Sequence, residues 1–343
     1  TEFLAGTTTF LTMAYIIFVN PAILGDAGMD KAALVTVTCL GSPFATIATG
    51  IFGKAPIAMA PGMGLNAFFA YTLVQSEGIS WQAALGMVFI SGVLFLLLSL
   101  FGLRKKLVEA IPVSLVSAIS VGIGLFIPFI GLQRLGIVVN NEATLVGAGV
   151  LSPQVVIGLC GLIVMVFLEI RSIAGALLFG IIFATVAGAV FGYVEKPAEI
   201  ATVNVNIDEI AFKLDIVGAL KWGFFANIFS LIIMDLFDSI GTLVACCHQA
   251  GMVDEKGKVK GLGRLLGIYA AATAAGAVLG TSTTTSYIES ATGIAQGGKT
   301  GLTSVFTGLL FLLAIPFAPL VEVVPSYATA PALVMVGLFM MKE

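Results

Sequence analysis

Twelve apolar runs follow one another along this chain, at 3–24, 32–53, 56–75, 81–103, 107–132, 153–169, 174–193, 217–247, 262–279, 281–297, 300–320 and 326–341. A helix needs about 20 apolar residues to cross a bilayer, and lipid offers no partner to a bare backbone N–H or C=O. A chain built this way is confined to a bundle of spanning helices. Composition agrees. The chain is 59% hydrophobic and only 10% charged, against about 25% charged in a soluble domain. Mean hydropathy is +1.09. A net charge of −3 gives no reason to expect nucleic acid. Cys39, Cys160, Cys246 and Cys247 lie in or beside apolar runs without a CxxC pair, so they read as packing residues. His248 follows them at a helix end, in a solvated position. Neither a Gly-x-Ser-x-Gly elbow nor a pair of metal-ligand histidines is present, so an enzyme is not expected.

Charge placement orients the bundle. With the N-terminus inside, the inner connections collect Lys54, Arg104, Lys105, Lys106, Arg171, Lys256, Lys258, Lys260, Arg264, Lys299 and Lys342. Lys31, Arg134, Lys196, Lys213 and Lys221 remain outside, together with the long acidic connection 194–216. This arrangement obeys the positive-inside tendency and its reverse does not. Trp81 and Trp222 then open segments 4 and 8 at the outer interface, where amphipathic rings are favoured.

Two segments are poor helices. Segment 3 opens with Pro56, Pro61, Gly62 and Gly64 ahead of Asn66-Ala67-Phe68-Phe69. Segment 10 opens with the hydroxyl run Thr281–Ser286, then Tyr287-Ile288-Glu289. Each reads as an extended piece followed by a half-helix that starts near mid-membrane. Irregular backbone at that depth must be buried in protein or line a cavity. Segment 10 is the seventh after segment 3, so in a fold of two inverted seven-span repeats they are equivalent. Paired interruptions of this kind point to a transporter's site. The count is seven plus five, which leaves the second repeat two spans short and suggests a fragment.

Three acids stand inside these runs: Asp235, Asp238 and Glu289. A charge at the bilayer centre costs at least ~2.5–3.5 kcal/mol and marks function. Asp235 and Asp238 are three apart and share a helix face, with Ser239 and Thr242 on or near that stripe as hydrogen-bond donors. Counting from Trp222, Asp235 is ~20 Å deeper. Glu289 falls at the start of a half-helix, where free N–H groups carry partial positive charge. Asn66 holds the matching place in segment 3. Phe68, Phe69 and Tyr287 could offer a stacking face. Carboxylates, an amide, half-helix ends and aromatics suit a flat heterocycle with N–H donors. They suit an anion poorly, because nothing basic lies at depth. A carboxyl withdrawn from water can also take up and release a proton.

At these motifs the chain resembles the AzgA-like purine permeases of the nucleobase–cation symporter family. The matching residues are Thr8–Tyr15 with Val19-Asn20-Pro21, Ala60–Phe69, Gly122–Phe126, Leu236–Leu243, Tyr287–Ser290 and Gly297–Gly301. The resemblance implies an all-α polytopic membrane protein of seven plus seven inverted spans, about 12 of the 14 present here. It implies a core domain from 1–106 (spans 1–4) and 217–320 (spans 8–11). The gate domain would comprise 107–193 (spans 5–7) and 321–343 (span 12), without spans 13 and 14. The connection 194–216 would be extracellular. It also implies proton-coupled uptake of adenine, guanine or hypoxanthine, with Asn66, Asp235 and Glu289 recognising the purine and Asp238 serving translocation.

The reading is a multi-pass inner-membrane purine–proton symporter with a cytoplasmic N-terminus, in which the core moves against the gate elevator-fashion. Asn66, Asp235, Glu289, Phe68 and Tyr287 are the expected substrate contacts. Asp238 and Glu289 are the expected proton-coupling residues. No cofactor is expected beyond the proton as coupling ion, and a homodimer is compatible with the resemblance. A transporter of the same fold for uracil, xanthine or another solute is the nearest rival. A divalent-cation carrier using the three acids as hard oxygen ligands is a further one.

Overall fold

The computed structural model describes residues 1–101, 113–194, 207–254 and 259–342. The charged residues Arg104, Lys105, Lys106, Glu195, Lys196, Glu199, Lys256 and Lys258 lie outside them, as does most of the acidic connection. Seven described helices are long and apolar enough to cross a membrane, and three shorter apolar helices accompany them. Segments 3 and 10 are interrupted by short strands, Met59–Pro61 and Thr284–Ser286.

The chain divides into two units. The first comprises Thr1–Pro112 and Val203–Pro316. It contains α1 (Glu2–Met13), α2 (Ile16–Gly25), α3 (Lys31–Ala48), β1 (Met59–Pro61), α4 (Met63–Ala67) and α5 (Trp81–Leu100). The second comprises Val113–Thr202 and Phe317–Glu343. It begins with α6 (Val113–Leu135), β2 (Val138–Asn141), β3 (Leu145–Ala148), α7 (Pro153–Ile170) and α8 (Ala176–Val190). The first unit resumes with α9 (Ile216–Ala219), α10 (Phe225–Gln249), α11 (Leu262–Leu279), β4 (Thr284–Ser286), α12 (Ser290–Ala295) and α13 (Gly301–Ala314). The second is completed by α14 (Ala318–Glu322) and α15 (Ser326–Lys342).

In the second unit α15 packs on α6 and α7, and α7 on α8. Leu135, Ile157, Ala184 and Tyr327 form its core. The antiparallel hairpin β2–β3 pairs Val138 with Ala148 and Asn141 with Leu145. The sequence reading had no strand there. The Asn141 side chain caps the turn by accepting from the N–H groups of Ala143 and Thr144, a local Asx turn that needs no apolar alternation to form.

The first unit packs an apolar core that includes Ile57, Phe95, Leu236 and Leu265, and it buries polar groups beside it. Phe44, Phe52, Leu4 and Leu313 are exposed, whereas Asn20, Thr38, Thr46, Asn66, Asp235 and Ser282 are buried. Apolar groups need no shelter in lipid, while polar groups must find partners inside. Small residues let the helices close on one another. A Cβ on Gly301 would collide with the backbone of Gly50, and one on Gly50 with the carbonyl of Gly301. Here α13 crosses the end of α3, which finishes in a π-helical turn at Thr49–Gly53.

Segments 3 and 10 meet within this unit. β1 and β4 run antiparallel, with Met59 opposite Ser286, Ala60 opposite Thr285 and Pro61 opposite Thr284. Strands this short cannot satisfy their own edges, and the surrounding helices complete the pairing. Thr46 of α3 both donates to the Met59 carbonyl and accepts from its N–H, each at 2.9 Å. Thr273 of α11 does the same for Thr284 at 3.2 Å. Ser290 accepts from the Ala58 N–H at 3.0 Å. A buried backbone group left without a partner costs roughly 1–3 kcal/mol, so these hydroxyls are what let extended backbone exist at this depth. The hydroxyls that complete the pairing thus come from α3, α11 and the start of α12.

Candidate functional site

Each strand leads into a short half-helix. α4 follows β1 and passes at Phe68–Ser76 into a π-helix, whose wider turns are often found at functional sites. β4 is followed by Tyr287-Ile288-Glu289 and α12. Gly62 follows β1 directly, and a Cβ there would collide with the Thr285 side chain. Its N–H donates to the Thr283 carbonyl at 3.0 Å.

Glu289 takes the N-cap position of α12, yet its side chain makes no capping bond. Its Oε1 instead accepts from the hydroxyl of Tyr15, one of the two residues between α1 and α2, at 2.6 Å. Tyr15 is fully buried, whereas Glu289 keeps part of its surface accessible. The carboxylate is therefore aimed by a tyrosine and not consumed by its own helix.

Asp235 lies on α10 and is 1% exposed. Its Oδ1 accepts from the hydroxyl of Tyr269 on α11. The Tyr269 ring is fully buried and packs edge-on against Phe95, with ring centroids 5.7 Å apart. The second carboxyl oxygen, Oδ2, is buried with no hydrogen-bond partner among the described residues. Ser239, expected as a donor to the acids, gives its proton at 2.7 Å to the main-chain carbonyl of Asp235. That back-bond to the residue four earlier is the nearest acceptor a helical serine has.

Asp238 sits one turn along and is half-buried. Asp235, Asp238 and Glu289 all lie in the first unit. The Tyr287 ring is 5% exposed, and its hydroxyl donates at 2.5 Å to the Pro61 carbonyl, stapling the ends of the two strands together. Phe68 is half-buried and Phe69 fully buried.

Asn66 is placed differently from Glu289. It lies in the first turn of α4, where Gly62 is the cap, and it is fully buried. Its amide nitrogen donates to Asn20 at 2.6 Å and its amide oxygen accepts from Ser282. Tyr15, Tyr269, Asn20 and Ser282 are the partners that sequence reasoning did not single out. Nothing in a local pattern separates a tyrosine that holds an acid from one that fills a core. Among the described residues no group of three or more His, Cys, Asp and Glu side chains could hold a metal ion.

Two paired strands that each lead into a short half-helix, with the carboxyls of Asp235 and Glu289 in the same unit, mark a polytopic membrane transporter. Similarity agrees. Residues 1–342 match the Permease family, Xan_ur_permease, and the chain belongs to it. The adenine permease AdeP of Escherichia coli K12 is 44% identical over 99% of this chain and 76% of its own length. The guanine/hypoxanthine permease PbuG of Bacillus subtilis 168 is 44% identical over 99% of this chain and 80% of its own. In structure, the transmembrane domain of the cyanobacterial bicarbonate transporter BicA superposes with a TM-score of 0.74 at 15% identity, covering 99% of this chain and 88% of that one. SLC26A9 superposes with a TM-score of 0.69 at 11% identity, covering 99% of this chain and 57% of that one. The fold is therefore the seven-plus-seven inverted repeat of those transporters, and the chain is a permease and not an enzyme.

Proposed function

We propose that this protein imports purine nucleobases together with protons. The observation that carries the reading is the state of the two acids. Each has one oxygen held by a tyrosine hydroxyl from another segment, and Asp235 keeps a second, buried oxygen unsatisfied. A purine N–H or a proton is the kind of donor that oxygen lacks. The names of AdeP and PbuG supply the substrate class.

In the proposed cycle the purine and a proton enter together. Glu289 and Asp235 accept purine N–H groups or the proton, and Phe68 and Tyr287 border the ring. Asn66 shapes the edge of the site, and Asp238 is the second acid of the coupling pair. The first unit carries the whole constellation and moves as the elevator, exposing it in turn to each side. Proton loss at the cytoplasmic side then weakens purine binding. The cytoplasmic N-terminus and inner-membrane location follow from the charge placement already described and belong to the same proposal, as does a dimeric assembly.

Uptake of radiolabelled hypoxanthine in a bacterial strain lacking its own purine permeases tests the substrate class. Adenine or guanine should compete, and EDTA should have no effect. A requirement for a divalent ion, or failure of all three purines to compete, would sink the reading.

A further inference from the structure

The motif Val19-Asn20-Pro21 has no part in the cycle above, yet Asn20 is at the centre of a buried polar relay. Thr38 Oγ1 lies 2.6 Å from the Leu34 carbonyl, Asn20 Nδ2 lies 2.7 Å from Thr38 Oγ1, and Asn66 Nδ2 lies 2.6 Å from Asn20 Oδ1. Ser282 Oγ closes the series on Asn66 Oδ1. Asn20, Thr38, Asn66 and Ser282 are all 0% exposed. The relay therefore joins α2, α3, α4 and the hydroxyl run ahead of β4 with no contribution from solvent.

Its direction is determined at one end. The Leu34 carbonyl can only accept, so the single Thr38 proton must go to it. Thr38 Oγ1 then has lone pairs alone to offer, and Asn20 must turn its NH2 towards it. That leaves the Asn20 oxygen facing α4, so Asn66 must present its NH2 to Asn20 and its oxygen to Ser282. Turning either amide over would set oxygen against oxygen or nitrogen against a donor at a fully buried position, at a cost of roughly a tenfold change in population or more. The Ser282 contact lies beside the Gly62 N–H bond to Thr283. Together they pin the first turn of α4 to the extended piece of segment 10.

We propose that Asn20, Thr38 and Ser282 are positioning residues that hold the Asn66 amide in one orientation, and that Asn66 acts by pinning the first turn of α4 to the extended piece of segment 10 and not by discriminating among purines. This rests on the reading of the site as a purine site.

The test compares Thr38→Val, Thr38→Ser, Ser282→Ala, Asn66→Ala and the double variant Thr38→Val/Asn66→Ala in the full chain. Membrane abundance is followed through a fluorescent tag, with KM, maximal rate and the ranking of adenine, guanine and hypoxanthine as readouts. Thr38→Val, Ser282→Ala and Asn66→Ala should each lower the maximal rate by about tenfold, with the purine ranking unchanged. Thr38→Ser, which keeps the hydroxyl, should restore the rate. The double variant should be no worse than Asn66→Ala, because Thr38 acts only through Asn66. Should Thr38→Val fail to reach the membrane, Ser282→Ala combined with Asn66→Ala carries the same comparison from the other end of the relay. Additive losses, or a purine ranking altered by Asn66→Ala alone, would overturn the proposal while leaving purine transport standing. Absence of purine uptake by the unmodified protein would remove both.

Discussion

Tyr15 and Glu289 stand 274 positions apart in the chain and share a hydrogen bond of 2.6 Å. A second tyrosine, Tyr269, holds Asp235 in the same manner. Hydrogen bonds to charged groups are worth about 1.5–3 kcal/mol, enough to set where a carboxylate points. Tyr15→Phe and Tyr269→Phe keep the rings and delete the hydroxyls. Each should lower uptake by about tenfold without lowering membrane abundance. Initial-rate uptake, normalised to tagged protein, is the check. Unchanged rates in both would show that the acids are held by something else.

The acids themselves should be indispensable. Glu289→Gln and Asp235→Asn replace a pure acceptor by a group that also donates. Both are expected to abolish uptake while insertion remains normal. Normal transport in both variants would refute the assignment of the site.

The Gly50–Gly301 crossing predicts a stability effect in place of a transport effect. Gly50→Val or Gly301→Val drives a side chain into the facing backbone. Overpacking of this kind typically costs about 1–3 kcal/mol. Thermal unfolding of the detergent-solubilised variants should therefore begin at a lower temperature than for the unmodified protein. An unshifted melting curve would mean that the two helices can part at that crossing without cost.

How much of this was visible beforehand differs by element. The interruptions in segments 3 and 10 were legible, because Pro56, Pro61 and the Thr281–Ser286 run conflict with helix at the level of single residues. That the two extended pieces pair with each other was not legible: strand pairing at a separation of over two hundred residues leaves no local period. Asp235 and Glu289 were conspicuous as charges in apolar runs. Tyr15 and Tyr269 were not, since a tyrosine in a membrane helix looks like packing until its hydroxyl partner is seen. Ser239 was misjudged for a related reason. Its position on the acidic stripe was right, but the helix's own carbonyl is a closer acceptor than the carboxylate. The β2–β3 hairpin was missed because its turn is made by one asparagine side chain.

Coupling gives one further expectation. If the acids carry the proton that accompanies the purine, an inward proton gradient should raise the rate of purine entry in cells, and a protonophore should collapse accumulation. Competition by unlabelled purine would persist under the protonophore, because binding does not require the gradient. Accumulation that survives the protonophore but fails when another cation is withdrawn would reassign the coupling ion.

The most direct test of proton-linked purine import uses the purified protein in liposomes loaded with a pH-sensitive dye, with no gradient imposed. Adding hypoxanthine outside should acidify the interior, because each purine that enters brings a proton with it. Glu289→Gln liposomes should give no signal. Purine entry without any change in internal pH, or an equal signal from Glu289→Gln, would contradict the account.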